Sequence, residues 1–180
     1  MQNWKRKMWF DETGLPWENP SPNIRNLYQA TLYPGIGLFE RLNVANKKGL
    51  ERPFEQIGAP WINSAELIEE LRNRKIKGVK YIPVRFTPKE HKYKDQQCEG
   101  VFFNIIDRDN FQPVKFGIHL LQALYKLYPQ NLEIDKLWHI TRSEKLIADL
   151  KNLTPVDEII KSWKADLLQF KNRREKFLLY

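Results

Sequence analysis

Residues 63–86 read NSAELIEELRNRKIKGVKYIPVRF, and within this stretch a helical pattern changes into a strand pattern. Asn63 is a favourable helix cap, Glu66 stands at the capping-box position, and the apolar residues that follow recur on one helical face. Residues 79–86 alternate and are rich in β-branched and aromatic side chains, which predicts a strand. Because Pro83 cannot donate a ladder hydrogen bond, this strand is expected at a sheet edge or at a bulge.

Further strand and helix patterns follow toward the C-terminus. Residues 98–107 predict a second, more buried strand, and residues 114–128 carry leucines at helical spacing. A short helix is expected to begin at Thr141, and another after Thr154, which precedes a proline and a carboxylate. That last helix is predicted to bury a stripe formed by Val156, Ile160, Trp163, Leu167 and Phe170. The closing residues 177–180 are interpreted as a short strand.

The N-terminal third has a different character. Proline and glycine recur through residues 1–60, which breaks long regular elements. Since the same segment is rich in tryptophan and phenylalanine, we expect an ordered loop region rather than a flexible linker. An exposed apolar surface is expected within its first 20 residues. The predicted fold class is therefore α+β: a small mixed sheet with three or four helices and a long ordered Pro/Gly/Trp-rich N-terminal loop region.

Composition restricts the classes of partner. The 180 residues are 42% apolar, which suits one domain with a core, and the net charge of +8 would attract polyanions. The densest basic stretch, residues 161–176, is interpreted as a solvated helix face in preference to a polyanion site. The chain contains no helix-turn-helix, zinc-finger or RNA-binding sheet motif, so no nucleic-acid partner is predicted.

The counts of cysteine and histidine argue against a metal site. Cys98 is the single cysteine and is interpreted as a buried small hydrophobe, and the chain has three scattered histidines. Neither a metal nor a cofactor is predicted. The N-terminal residues lack the apolar run of a signal peptide, and no apolar stretch is long enough to predict a membrane span. The compartment is left open.

Residues 17–61 contain the groups that sugar recognition requires. Aromatic side chains offer flat faces to sugar rings, and amides and carboxylates bind hydroxyls. A glycosidase also needs two carboxyl groups, for which Glu40 and Glu55 are the candidates. The alternative is that each forms an ordinary ion pair. Arg52 offers a planar guanidinium, which binds a carboxylate through two hydrogen bonds.

Several short motifs occur in a fixed order along the chain. They are TGLPW at 13–17, PSPN at 20–23, YPG at 33–35, RPFE at 52–55, GAPW at 58–61, CEGV at 98–101 and LLY at 178–180. In this order they resemble the motifs of the NamZ family of exo-β-N-acetylmuramidases, and the likeness extends over nearly the whole chain.

The resemblance implies the C-terminal part of a two-domain enzyme. Members of this family release N-acetylmuramic acid from peptidoglycan fragments in cell-wall recycling, and their active site lies between an N-terminal Rossmann-like domain and a smaller C-terminal domain. Residues 1–61 are accordingly expected to comprise the end of the N-terminal domain and a cleft segment, and residues 62–180 the C-terminal α+β domain. Catalytic carboxylates are expected mainly from the N-terminal domain, which this chain is expected to lack. Family members are often exported.

The expected site and partners follow from the same motifs. Glu40 and Glu55 are the candidate catalytic residues. The candidate substrate-binding residues are Trp17, Asn23, Tyr33, Glu40, Asn43, Arg52 and Glu55. The expected partners are a muropeptide or another glycan that contains N-acetylmuramic acid, and a separately encoded N-terminal domain.

Some residues depart from the family pattern. Arg41 stands in place of a glycine, Ala45 and Leu50 replace residues with hydroxyl groups, and Lys48 replaces an arginine. The departures suggest a divergent copy or a shifted substrate. Two functions are left open: the C-terminal half of a peptidoglycan glycoside hydrolase that is inactive alone, or a stand-alone glycan-binding or interaction module derived from the family. Whether the chain is itself an enzyme is left open too.

Overall fold

A three-stranded antiparallel sheet lies at the centre of the computed structural model, which describes residues 4–179. Its strands are β1 (Gln56–Ala59), β2 (Val79–Phe86) and β3 (Cys98–Ile105), in the order β1-β3-β2. The strands predicted at residues 79–86 and 98–107 are confirmed. Pro83 pairs with Val101 on the edge strand β2, where its missing N–H disrupts no second ladder.

Seven α-helices surround this sheet within the described residues. They are α1 (Leu27–Ile36), α2 (Ser64–Asn73), α3 (Pro113–Leu127), α4 (Trp138–Thr141), α5 (Glu144–Lys151), α6 (Val156–Ser162) and α7 (Lys164–Glu175). Three short 3₁₀-helices add Phe10–Thr13, Gly37–Phe39 and Ile134–Leu137. The predicted α+β class is confirmed, although the sheet is antiparallel rather than mixed and the described residues form seven α-helices rather than three or four. None of the helices within residues 4–179 combines the length and apolar character needed to cross a membrane.

Helix α2 begins as its sequence predicts, with one difference in its cap. Asn63 Oδ1 accepts hydrogen bonds from the backbone N–H groups of Ala65 and Glu66. The backbone N–H of Asn63 donates to the hydroxyl of Tyr128 at 3.0 Å rather than to the Glu66 carboxylate. The cap therefore also links α2 to the end of α3.

Helix α1 was not predicted, because Pro34 and Gly35 occupy its last turn. The helix forms because it packs closely against α3. A Cβ atom on Gly117 would lie 2.6 Å from the carbonyl oxygen of Gly35, and one on Gly35 would overlap the carbonyl oxygen of Pro113. Two glycines thus allow the two backbones to touch, and tertiary packing overrides poor local helix propensity.

The predicted helix start at Thr141 is wrong. Thr141 ends α4, and Arg142 then adopts a left-handed conformation at φ 52°. The cap of α5 is Ser143, whose hydroxyl oxygen accepts a hydrogen bond from the Leu146 N–H at 3.1 Å. The pattern around residue 141 therefore belongs to two short helices rather than to one.

Two predictions about the C-terminal region are also wrong. The helix after Thr154 is interrupted at Trp163, so its apolar stripe is divided between α6 and α7. Val156 is buried, but Leu167 is 49% exposed and Phe170 is 50% exposed. Residues 177–179 form no strand, and Tyr180 lies outside the described residues.

Candidate functional site

The turn of residues 51–55, which leads into β1, carries the Glu55 carboxylate, and the buried amide of Gln29 holds this carboxylate. Glu55 Oε1 accepts a hydrogen bond from Gln29 Nε2 at 2.8 Å, and Gln29 is only 3% exposed. Gln29 Oε1 in turn accepts from the Arg25 N–H at 2.7 Å. The amide is held because Asn26 caps α1 and accepts from the Gln29 N–H at 2.8 Å. A residue of α1 thus fixes the position of one carboxylate oxygen of Glu55.

Phe54 supports this turn in an unusual backbone conformation. Its φ of 63° lies in the left-handed region, which costs an aromatic residue about 1–3 kcal/mol. The strain is offset locally: the Phe54 N–H donates to the Asn46 carbonyl at 2.8 Å, and the Phe54 ring packs edge-on against Tyr33 at 5.3 Å. Retained strain of this kind is typical of functional segments. Tyr33 itself remains partly exposed beside the turn.

Arg52 lies on the exposed side of the same turn. Its guanidinium is 5.4 Å from the centre of the Phe102 ring on β3, and within residues 4–179 it forms no ion pair. Arg52 lines a groove of about 430 Å³ between this turn and the end of β2. Glu51, Arg85 and Lys89 also line this groove, and Arg85 pairs with Glu99 at 2.8 Å. The Arg52 guanidinium is therefore positioned by an aromatic ring and available to an external carboxylate.

Glu40 belongs to a second group of charges. Its carboxylate pairs with Lys47, and that hydrogen bond lowers the pKa of Glu40 below its ordinary value of 4.5. Lys92 lies nearby and donates to the backbone carbonyl of Glu40 at 2.9 Å. Burial, and then repulsion from Lys47, lower the pKa of Lys92 to about 8. Glu40 is thus an ionised, paired carboxylate rather than a proton donor near neutral pH.

Asn43 uses its whole side chain to join two loops. Its Nδ2 donates to the carbonyl of Asn131 at 2.7 Å, and its Oδ1 accepts from the Glu133 N–H at 2.9 Å. The Asn43 carbonyl also accepts from the hydroxyl of Tyr93 at 2.8 Å. A sugar hydroxyl would have to share these groups with the loop.

The remaining candidates lie in the N-terminal segment. The Trp17 ring packs edge-on against Phe10 at 5.2 Å, and its Nε1 donates to Asn19 at 3.0 Å. The Asn23 N–H donates to the hydroxyl of Ser21 at 3.2 Å. Both side chains are half-buried. Their contacts show an ordered turn next to an aromatic plate.

The structure thus divides the candidates into separate groups. Tyr33 packs on Phe54, and Glu55 is held by Gln29, whereas Arg52 lies over Phe102 beside a separate groove. Glu40 pairs with Lys47 near Lys92, and Asn43 joins two other loops. Within residues 4–179 no side chain is hydrogen-bonded to both candidate carboxylates. Sequence reasoning missed Gln29, Lys92 and Phe102. Only an Asx-type helix cap at Asn26 could have indicated a helix that carries Gln29.

Cys98 is fully buried on β3, and burial raises the pKa of its thiol to about 11. The prediction of a buried small hydrophobe is therefore confirmed. Among the described residues no group of three or more His, Cys, Asp or Glu side chains is arranged to hold a metal ion.

Comparison with known families identifies the class of protein. The family model described as "Exo-beta-N-acetylmuramidase NamZ, C-terminal" matches residues 31–180, and the corresponding N-terminal model matches residues 1–28. The chain belongs to the NamZ exo-β-N-acetylmuramidase family.

Relatives share its sequence and its fold over part of their length. The peptidoglycan β-N-acetylmuramidase NamZ of Bacillus subtilis (strain 168) is 39% identical over 190 residues, which cover 100% of this chain and 44% of that protein. A solved DUF1343 family protein of Bacteroides fragilis has a TM-score of 0.77 at 24% identity and covers 98% of this chain and 48% of its own. A second solved DUF1343 family protein of Bacteroides fragilis is 24% identical and has a TM-score of 0.64, and the match covers 89% of this chain and 43% of that protein. The chain spans less than half the length of these relatives.

Proposed function

We propose that this chain forms the C-terminal wall of the sugar-binding cleft of an exo-β-N-acetylmuramidase-like hydrolase of peptidoglycan fragments. The observation that carries the proposal is the family match, which runs through the whole chain at 39% identity to a peptidoglycan β-N-acetylmuramidase. Because the chain spans 44% of that relative, we propose further that these 180 residues are inactive alone. Catalytic groups from a family N-terminal domain would complete the site.

The surface of this wall is the turn that carries Arg52 and Glu55. N-acetylmuramic acid bears a lactyl carboxylate that N-acetylglucosamine lacks, so a site for it needs a fixed cation. Arg52 meets that need, because its guanidinium rests on Phe102 and forms no ion pair among residues 4–179. Glu55, held by Gln29, offers its second oxygen to a sugar hydroxyl. Tyr33, which packs on Phe54, supplies a partly exposed aromatic ring on the same turn.

Other candidate residues are proposed to act around this centre. Trp17 and Asn23 would border the glycan from the N-terminal segment, and Glu40 and Asn43 would shape the loop on the other side. We also propose that residues 1–61 contribute the cleft segment and that residues 62–180 form the C-terminal domain behind it. The two parts share one sheet, since β1 pairs with β3.

The test of recognition compares two sugars. N-acetylmuramic acid and N-acetylglucosamine are titrated into the chain mixed with the N-terminal part of the Bacillus subtilis relative. A desolvated charge-assisted contact contributes about 1.5–3 kcal/mol, so Arg52 should favour the muramic sugar by about tenfold or more. Arg52→Lys keeps the charge but loses the planar fork, so this preference should shrink. Equal weakening of both sugars, or of neither, would show that Arg52 does not recognise the lactyl group.

The alternative function is a glycan-binding or interaction module that has lost catalysis. The departures from the family pattern favour it, because Ala45 and Leu50 replace hydroxyl-bearing residues and both are buried. Such a module would bind the muramic sugar without any N-terminal partner. The two functions are separated by whether a family N-terminal domain adds hydrolysis to binding.

A further inference from the structure

The C-terminal helix carries an exposed apolar surface. Every described residue from 164 to 179 is exposed, and α7 buries none of its side chains. Phe177 is 73% exposed and Leu179 is 93% exposed. The large apolar side chains on this surface are Leu167, Leu168, Phe170, Phe177, Leu178 and Leu179. We call these residues the α7 surface. Within the described part of the first 20 residues, where such a surface was expected, Leu15 is the only exposed large apolar side chain.

A helix of this kind requires a partner on physical grounds. An isolated helix of 12 residues is marginal in water, because most helical stability comes from packing one face against other structure. Helix α7 contributes no residue to the core. Contiguous exposed apolar surface in a protein commonly marks an interaction site.

The arrangement of charge on α7 favours a protein over a membrane or a second copy. At about 100° per residue, Lys171 falls between Leu167 and Leu168 around the helix, and Arg174 falls between Leu167 and Phe170. Basic side chains therefore interrupt the single apolar face that would lie flat on a bilayer. The segment has five basic and two acidic side chains: Lys164, Lys171, Arg173, Arg174 and Lys176 against Asp166 and Glu175. Two copies would bring like charges together, which is unfavourable. The expected partner surface is apolar with an acidic rim.

The position of α7 indicates which protein is the partner of its exposed surface. The family N-terminal model matches residues 1–28. In that segment Trp9 Nε1 donates to Asp109 at 2.8 Å, which holds it on the loop between β3 and α3. The neighbouring Asn110 lines a cavity of about 230 Å³ together with Asp157 in the first turn of α6. A domain that joins the chain at its N-terminal segment would therefore lie beside α6 and the α7 helix that follows.

We infer that the α7 surface is the docking site for the N-terminal domain of the NamZ family. The inference rests on family membership and on the exposed helix, and it holds whether or not the proposed sugar specificity is correct. More than half of each relative lies outside the part that matches this chain, since the matched part is 44% of one and 48% of another. Domain interfaces commonly bury about 600–1,500 Å², an area that six large apolar side chains and their basic neighbours suit.

The test measures binding rather than catalysis. The full 180-residue chain is titrated, by calorimetry, with the N-terminal part of the Bacillus subtilis relative, after circular dichroism has shown that this part is folded. Leu167→Ser/Phe170→Ser should weaken binding about 30-fold, which corresponds to about 2 kcal/mol. Ile82→Ser/Ile140→Ser is the matched control, because both isoleucines are exposed on other elements; its dissociation constant should stay within about twofold of the wild-type value. Added salt should weaken the wild-type complex.

Each opposite result would overturn the inference. The inference is wrong if the wild-type chain does not bind the N-terminal part. It is also wrong if the wild type and the α7 variant, with equal urea midpoints, bind the N-terminal part equally well. Sedimentation that shows self-association lost only in the α7 variant would assign the surface to a second copy. If phosphatidylglycerol vesicles bind the wild-type chain and the N-terminal part does not bind this chain, the α7 surface would be assigned to a membrane. A complex that forms but hydrolyses nothing leaves the docking site in place and refutes only the proposed function.

Discussion

Gln29→Leu should loosen the turn that carries the candidate sugar-binding residues. The substitution keeps the size of the side chain but removes two hydrogen bonds, to the Glu55 carboxylate at 2.8 Å and from the Arg25 N–H at 2.7 Å. A hydrogen bond to a charged group contributes about 1.5–3 kcal/mol and a neutral one about 0.5–1.5 kcal/mol. Since the new leucine gains some apolar burial, a net loss of about 2 kcal/mol is expected.

The assay is urea unfolding followed by tryptophan fluorescence. With a slope of about 1–3 kcal/mol per molar urea, a loss of about 2 kcal/mol should lower the midpoint by about 1 M. The same variant should also weaken binding of N-acetylmuramic acid, because the Glu55 carboxylate loses its fixed position. Binding is measured by calorimetry on the chain mixed with the family N-terminal part.

Gln122→Leu provides the matched control. Gln122 is also buried, and its amide also makes two hydrogen bonds, from Arg74 at 2.8 Å and to the Thr154 carbonyl at 2.7 Å. It lies on α3, outside the turn of residues 51–55. This variant should lower the urea midpoint by a similar amount and leave sugar binding unchanged. The reasoning fails if Gln29→Leu leaves the midpoint unchanged, or if both variants weaken sugar binding equally.

Two further predictions concern the sheet and the acid limb of stability. Gly100→Ala should destabilise the chain by about 3 kcal/mol or prevent folding, because its Cβ would overlap the Ile57 carbonyl oxygen across β1 and β3; the urea midpoint measures this, and a near-native value would contradict the register. Glu40 has its pKa lowered by Lys47, so the pair stabilises the fold above about pH 4.5 and loses that effect as pH falls through the lowered pKa. Glu40→Gln should therefore reduce the melting temperature more at pH 7 than at pH 3, and an equal reduction at both would refute the assignment.

The regular elements could be predicted where local and tertiary preferences agree. Residues 63–86 combine a cap, a helical face and an alternating strand, and the observed helix and strand follow that pattern. Helix α1 could not be predicted, because Pro34 and Gly35 disfavour it locally and its contact with Gly117 on α3 is 82 positions away in sequence. The apolar stripe in α7 shows the opposite case: helical spacing predicts an apolar face but not which structure covers it.

The candidate site was predictable only in part, for a similar reason. Arginine, carboxylate and aromatic residues between positions 17 and 61 indicated sugar chemistry, and Tyr33, Arg52 and Glu55 lie on or beside the turn of residues 51–55. The partners that hold them are remote in sequence: Gln29 lies on the unpredicted helix, and Phe102 lies on β3. Family motifs supplied the order of the residues, whereas packing decided their neighbours.

Hydrolysis of a chromogenic β-glycoside of N-acetylmuramic acid tests the proposed function most directly. Initial rates are compared for the purified chain, for the N-terminal part of the Bacillus subtilis relative, and for an equimolar mixture. Since general acid–base assistance alone contributes about 10²–10⁴ in rate, we expect no turnover by the chain alone and clear turnover by the mixture above that of the N-terminal part. Turnover by the chain alone that Glu40→Ala or Glu55→Ala abolishes would contradict the account, because it would place a complete catalytic site within these 180 residues.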